Sequence, residues 1–105
     1  MVTVEWTVGA YKDLTDLCLD ASRDEHERIL RAATRIDHLL QLSPSTQGEV
    51  VFAGQLPPKT LEDLRIRMDY IPEISRRIRQ DLIEVYFTDH EEEGRAIVWC
   101  LQRRT

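Results

Sequence analysis

Residues 81–103 read DLIEVYFTDHEEEGRAIVWCLQR. Two runs rich in β-branched and aromatic residues, DLIEVYFTD and RAIVWCLQR, flank the polar HEEEG, and this pattern predicts a β-hairpin with a solvated tip. Three consecutive acids, Glu91 to Glu93, suit a tip that resists edge-to-edge aggregation better than they suit an acid/base pair. Tyr86 shares its parity with Leu82 and Glu84 and reads as a half-buried sheet residue. His90, at the acidic turn, reads as a solvated loop residue. Arg103 and Arg104 follow the second run directly, and the plain reading of such a pair is a solvated end.

Working outward, SRRIRQ (75–80) precedes the hairpin, and before it LEDLRIRMDYIPEI (61–74) is ambiguous. Leu64, Ile66, Met68 and Tyr70 alternate as in an edge strand, the preferred reading, while TLEDLRIRM also has the pattern of a capped helix. QLPPKT (55–60) reads as a loop, because adjacent prolines continue neither a helix nor a central strand. EVVFAG (49–54) reads as a strand. From the N-terminus, VTVEW (2–6) alternates as a short strand with Val2, Val4 and Trp6 on one face. Gly9 is expected to break it. A one-faced helix then carries Ala10, Leu14, Leu17, Cys18 and Ala21 inward, with Lys12, Asp13, Asp16 and Asp20 on its other side. The segment SRDEHERILRAATRIDHLLQLSPS (22–45) opens with overlapping capping boxes, Ser22 with Glu25 and Asp24 with Glu27. It shows an apolar stripe through Ile29, Ala32, Ala33, Ile36, Leu39 and Leu40, and stops at Ser43-Pro44. The two helices should form an antiparallel hairpin whose stripes face one sheet. Trp6, Leu14, Leu17, Cys18, Ile29, Ala33, Ile36, Leu40, Val85, Phe87, Val98 and Cys100 are the expected core.

The chain has 105 residues, 42% hydrophobic and 31% charged, which predicts one globular domain over 1–105. No apolar run approaches the roughly 20 residues of a membrane helix, and the N-terminus does not resemble a secretory signal, so residence in the cytosol without membrane contact is expected. Cys18 and Cys100 lie far apart in apolar contexts and read as buried thiols. His26, His38 and His90 have no second ligand at metal spacing, so no metal is expected. The dispersed glycines exclude a phosphate loop, and no serine sits in GxSxG. No small-molecule cofactor is implied.

The net charge of −5 conceals an asymmetry. Met1 to Asp63 holds six basic against eleven acidic residues, whereas the remainder holds eight arginines against eight acids. Arg65, Arg67, Arg76, Arg77 and Arg79 cluster between residues 64 and 79. Guanidinium forks suit phosphate and carboxylate alike, so the cluster is consistent with nucleic acid or with an acidic protein partner.

Taken together, VEW, the Gly-Ala lead into a helix, a second helix ending IDHLLQLSP, the following GE and the closing IEVYFTD…RAIVWCLQRR resemble the RelE/ParE superfamily of bacterial type II toxins. The likeness spans 2–52 and 77–104, with 55–73 as an insertion. It implies an α+β fold: an N-terminal strand and an antiparallel two-helix hairpin packed on a twisted, mainly antiparallel sheet. RelE-like members cleave messenger RNA on the ribosome by attack of the ribose 2′-hydroxyl on the adjacent phosphate. ParE-like members poison DNA gyrase, and both kinds are silenced by an antitoxin. By this resemblance Arg79 and Arg103 are the candidate catalytic residues, with Arg65, Arg67, Arg76, Arg77 and Arg104 as RNA- or partner-binding residues. The hairpin should make neighbours of the two arginine clusters.

One departure matters. RelE-like nucleases often carry a Tyr or His beyond the last strand that helps with proton transfer, and none follows Arg104 here. Two functions are therefore expected: a toxin acting on the ribosome with its mRNA or on DNA gyrase, or a non-catalytic interaction module that keeps only the antitoxin-binding surface. Leu61 to Ile78 is expected at a sheet edge, open to strand addition or to a homodimer.

Overall fold

Thr7 opens the first helix: its hydroxyl accepts the Ala10 amide, so strand β1 (Thr3–Trp6) passes directly into α1 (Val8–Leu19). Gly9 therefore lies within the helix rather than breaking the chain before it. The computed structural model describes residues 1–68 and 74–104. Helix α2 (Arg23–Leu42) starts at the reciprocal capping box of Ser22 and Glu25 and ends at Ser43, as the sequence predicts; Asp24 sits inside the first turn. Strand β2 (Glu49–Phe52) follows Gly48, whose φ of +67° and whose close approach to the Arg77 carbonyl both require glycine.

Helix α3 (Pro58–Arg67) overturns the edge strand preferred for Leu64, Ile66 and Met68. Pro58 occupies the first helical position, where its missing N–H is no loss and its fixed φ suits the helix; the two prolines start the helix instead of forbidding it. Tyr70, the last residue of that expected strand, lies outside the described residues. Strands β3 (Ile74–Gln80), β4 (Ile83–His90) and β5 (Arg95–Arg103) complete the chain, with Glu91–Glu93 and Gly94 forming the β4–β5 tip. Asp81 turns β3 into β4 with a φ of +50°, a conformation that Asp tolerates.

The five strands form one mixed sheet in the order β1-β5-β4-β3-β2. β1 runs parallel to β5, and the other neighbours are antiparallel. The chain is thus α+β; of the stretch expected at an edge, 61–67 is helical and 74–78 lies in β3 inside the sheet, while 69–73 lie outside the described residues. The edges are β1 and β2.

Each face of the sheet has its own core. On one, Ala10 of α1 and Ile29, Ala32, Ala33, Ile36 and Leu40 of α2 pack on Ile78, Ile83, Val85, Phe87, Val98 and Leu101. Trp6, Leu14, Leu17 and Cys18 are half-buried around it rather than inside it. On the other face, Leu56 and Leu64 cover Val51, Tyr86 and Cys100. Cys100 belongs there because of a β-bulge: Tyr86 faces Cys100 while Phe87 faces Val98, which leaves Trp99 as the extra residue. Strict alternation would have put Val98 and Cys100 on one face. Both cysteines are free thiols. Among the described residues no helix is long and apolar enough to cross a membrane.

Candidate functional site

Alternation along β3 and β4 decides where the arginines point. Ile78, Val85 and Phe87 enter the core beneath the helix hairpin, so Arg77, Arg79, Glu84 and Tyr86 share the opposite face, beside α3. Arg77 stands across from Tyr86, and Arg79 across from Glu84.

Glu84 is the centre of the resulting cluster. Only 3% exposed, it accepts Arg79 Nε at 3.1 Å and Gln102 Nε2 at 2.5 Å. Gln102 Nε2 also lies 3.4 Å from the Tyr86 hydroxyl, and its Oε1 accepts Thr60 Oγ1 of α3 at 3.0 Å. Outside this ring, Glu49 on β2 accepts Arg77 Nε at 2.9 Å and stands 3.6 Å from Arg79. A buried carboxylate is tolerated when it is paired and hydrogen-bonded, and both oxygens of Glu84 are.

The electrostatics follow from these contacts. Burial raises the Tyr86 hydroxyl above its ordinary range, with the Arg77 guanidinium opposing, so the phenol remains a proton donor at neutral pH. Burial works against the charge of Arg77, yet its bonds to Tyr86 and Glu49 outweigh that and raise it overall. The Arg77 guanidinium holds Glu49 below the usual carboxylate range.

The other arginines are dispersed. Arg103 has the parity of Leu101, points to the helix-hairpin side and pairs with Glu25 of α2. The two candidate catalytic arginines therefore share one end of the sheet but not one face, and the expected meeting of the clusters does not occur. Arg76 turns to the hairpin side, where it donates to the Gln47 carbonyl at 3.3 Å. Arg67 closes a two-pronged pair with Asp13 of α1 at 2.6 and 2.8 Å and donates to the Trp99 carbonyl at 3.0 Å. Asp13, read from the sequence as solvated, is half-buried and also accepts the Leu101 amide. Arg65 and Arg104 are exposed and make no ion pair among the described residues. His90 is half-buried at the end of β4, 3.1 Å from Thr88 Oγ1, rather than solvated.

Sequence reasoning missed Glu84, Gln102, Thr60 and Glu49. The signal for the first was present: Glu84 interrupts the run Ile83 to Phe87 as its one charged residue. Chemically, the cluster joins a carboxylate, a protonated phenol and a half-exposed guanidinium, but each of these already has a partner within the chain. An incoming phosphate would have to displace Glu84 and Glu49 from Arg79. No family model, curated protein or solved structure matches this chain.

Proposed function

We propose that this chain is a protein-interaction module of the toxin–antitoxin kind, a RelE/ParE-like fold that acts by binding a protein partner rather than by cutting RNA. One observation carries the reading: Arg67, Arg77, Arg79 and Arg103 each hold a carboxylate of the same chain, and Arg79 and Arg103 lie on opposite faces. A polyanion approaching Arg79 meets two carboxylates, so the field that should attract it is largely cancelled. The partner on this reading is a co-encoded antitoxin protein.

A second reading is a toxin that inhibits growth by ribosome-dependent mRNA cleavage or through DNA gyrase. It is favoured by the contact of half-exposed Arg79 with buried Glu84 beside Tyr86, the one place among the described arginines where charge stabilisation and proton-transfer groups meet.

Expression of the chain in growing cells, alone and with the protein of the adjacent small reading frame, separates the two. The module reading expects no growth arrest and a stoichiometric complex with the co-expressed protein. Arrest with messages cut at fixed codon positions, lost in the Arg79→Ala, Arg103→Ala double variant, would replace it with the nuclease. Arrest that persists in that variant with broken DNA would replace it with the gyrase poison.

A further inference from the structure

On the far side of the sheet from the Glu84 cluster, residues of β1, α1 and α2 line a cleft of about 350 Å³, among them Val4, Trp6, Tyr11, Leu14 and Asp37. Its chemistry is unlike the rest of the hairpin surface. The Trp6 and Tyr11 rings stand 6.3 Å apart between centroids, tilted by 34°. They form a tilted aromatic pair, and both residues line the cleft, so a cation seated there would lie beside aromatic side chains. The Asp37 carboxylate lies in the same cleft, half-buried. Trp6 Nε1 donates to one of its oxygens at 2.7 Å, and Gln41 Nε2 donates to the other at 2.6 Å. These two bonds fix the carboxylate and leave each oxygen a further lone pair. No cation of the chain pairs with Asp37 among the described residues.

The backbone beside the cleft is open at Val4 and Trp6, whereas the outward amide of Val2 is taken by the Gln41 carbonyl of α2 at 3.0 Å. The Thr3 amide donates to Gly94 and the Thr7 amide to Val98, and β1 pairs only with β5. In a parallel pair alternate residues bond the neighbour, so the amides and carbonyls of Val4 and Trp6 point away from β5 to the free edge. A strand added there would place the residues beside Val4 and Trp6 on the same face as those side chains, directly over the cleft.

We propose that the β1 edge, with the Trp6–Tyr11–Asp37 cleft, binds an extended partner segment by strand addition and takes an arginine or lysine side chain of that segment into the cleft. Charge complementarity selects this occupant: an anchored carboxylate without an ion pair among the described residues, in a cleft also lined by Trp6 and Tyr11, suits an organic cation, and the charge of −5 over the chain attracts one. The site shares no residue with the Glu84 cluster, and it stands whether or not the toxin–antitoxin reading does.

The test uses the full chain, ¹⁵N-labelled, titrated with the capped peptide Ac-Thr-Val-Arg-Val-Thr-NH₂ and with its citrulline counterpart, which keeps the shape of arginine without the charge. The chain has two tryptophans, so the two indole N–H resonances report the cleft (Trp6) and a control on the opposite face of the sheet (Trp99, whose indole donates to Thr88). The arginine peptide should shift Trp6 and not Trp99, and bind about tenfold tighter than the citrulline peptide. Asp37→Asn keeps an acceptor for Trp6 and should remove that preference; Tyr11→Leu should weaken the arginine peptide about threefold. An unchanged Trp99 resonance in both variants certifies their fold. Equal affinity for the two peptides, an unaltered preference in Asp37→Asn, or no binding at millimolar peptide would overturn the proposal. So would methylguanidinium alone binding as tightly as the peptide, which would mean a small-ion site without strand addition. A Trp6 shift that follows protein concentration without peptide would give the edge to a second copy of the chain instead.

Discussion

Replacing Arg67 by Ala should cost about 3 kcal/mol of folding stability. The guanidinium makes two bonds to Asp13 and one to the Trp99 carbonyl, and the paired side chains are only 22% and 16% exposed. Removing one partner of a buried pair costs about 3–5 kcal/mol; residual contact with water places this pair at the lower end. The loss is specific in form, because Asp13 would keep only the Leu101 amide as a donor. Urea unfolding measures it: with a slope of about 1.5 kcal/mol/M the midpoint should fall by about 2 M. Asp13→Ala should cost a similar amount, and the double variant should reveal a coupling of about 2 kcal/mol. Arg67→Lys keeps the charge but not the fork and should recover under half of the loss. A coupling below about 0.5 kcal/mol would refute the claim that this pair fastens α3 to α1 across β5.

Further outcomes test the two cores and the surface charges. Ile36→Ala, at a fully buried position of α2, should cost about 2–5 kcal/mol by denaturant unfolding. Gly48→Ala should cost at least about 2 kcal/mol and clearly more than Gly94→Ala. Both glycines have positive φ, but only a Cβ at Gly48 meets backbone, 2.4 Å from the Arg77 carbonyl oxygen. Burial first, and Asp13 next, push the Cys100 thiol up to about 12, so a disulfide reagent at pH 8 should label Cys18 in the native protein and Cys100 only on unfolding. Glu25, Glu49 and Asp81 are held low chiefly by hydrogen bonds from Arg103, Arg77 and Arg28. Lowered folded values mean stabilisation that is complete above the unfolded carboxylate range. The melting temperature should therefore be level above about pH 5, fall as pH drops through 4, and vary less with pH in 1 M salt.

Much of this fold was legible because its signals are local. The Ser22–Glu25 capping box, the α2 stripe and the hairpin around HEEEG each depend on residues within a few positions of one another, and each is realised. α3 was misread because Leu64, Ile66 and Met68 satisfy the period of a strand, while the deciding signal lay upstream in Pro58, whose place at a helix start outweighs the alternation. The burial of Cys100 was foreseen but not its side, because a bulge inserts one residue without any mark in the sequence. The site suffered most. Which face an arginine takes depends on strand register, and whether its charge is available depends on Glu49, Glu84 and Glu25, at 28, 5 and 78 positions' separation from Arg77, Arg79 and Arg103.

Those pairings also explain how an acidic chain carries an arginine-rich strand. β3 brings Arg77 and Arg79 to one face, where the neighbouring strands supply Glu49 and Glu84; on the other face α2 supplies Glu25 for Arg103. Each cation thus joins segments distant in sequence, Arg77 fastening β3 to β2, Arg79 bridging β2 and β4, and Arg103 tying β5 to the start of α2. The half-exposed members contribute little each in water, so their main consequence is selectivity of pairing rather than stability. A strand slipped by one residue would turn Arg77 and Arg79 into the apolar core beneath the hairpin and strand Glu84 without a counter-charge, a penalty of several kcal/mol against the wrong register. Asp37, by contrast, is a half-buried carboxylate held by Trp6 and Gln41 with no ion pair among the described residues, so its charge, unlike those of Arg77, Arg79 and Arg103, is not already matched within the chain.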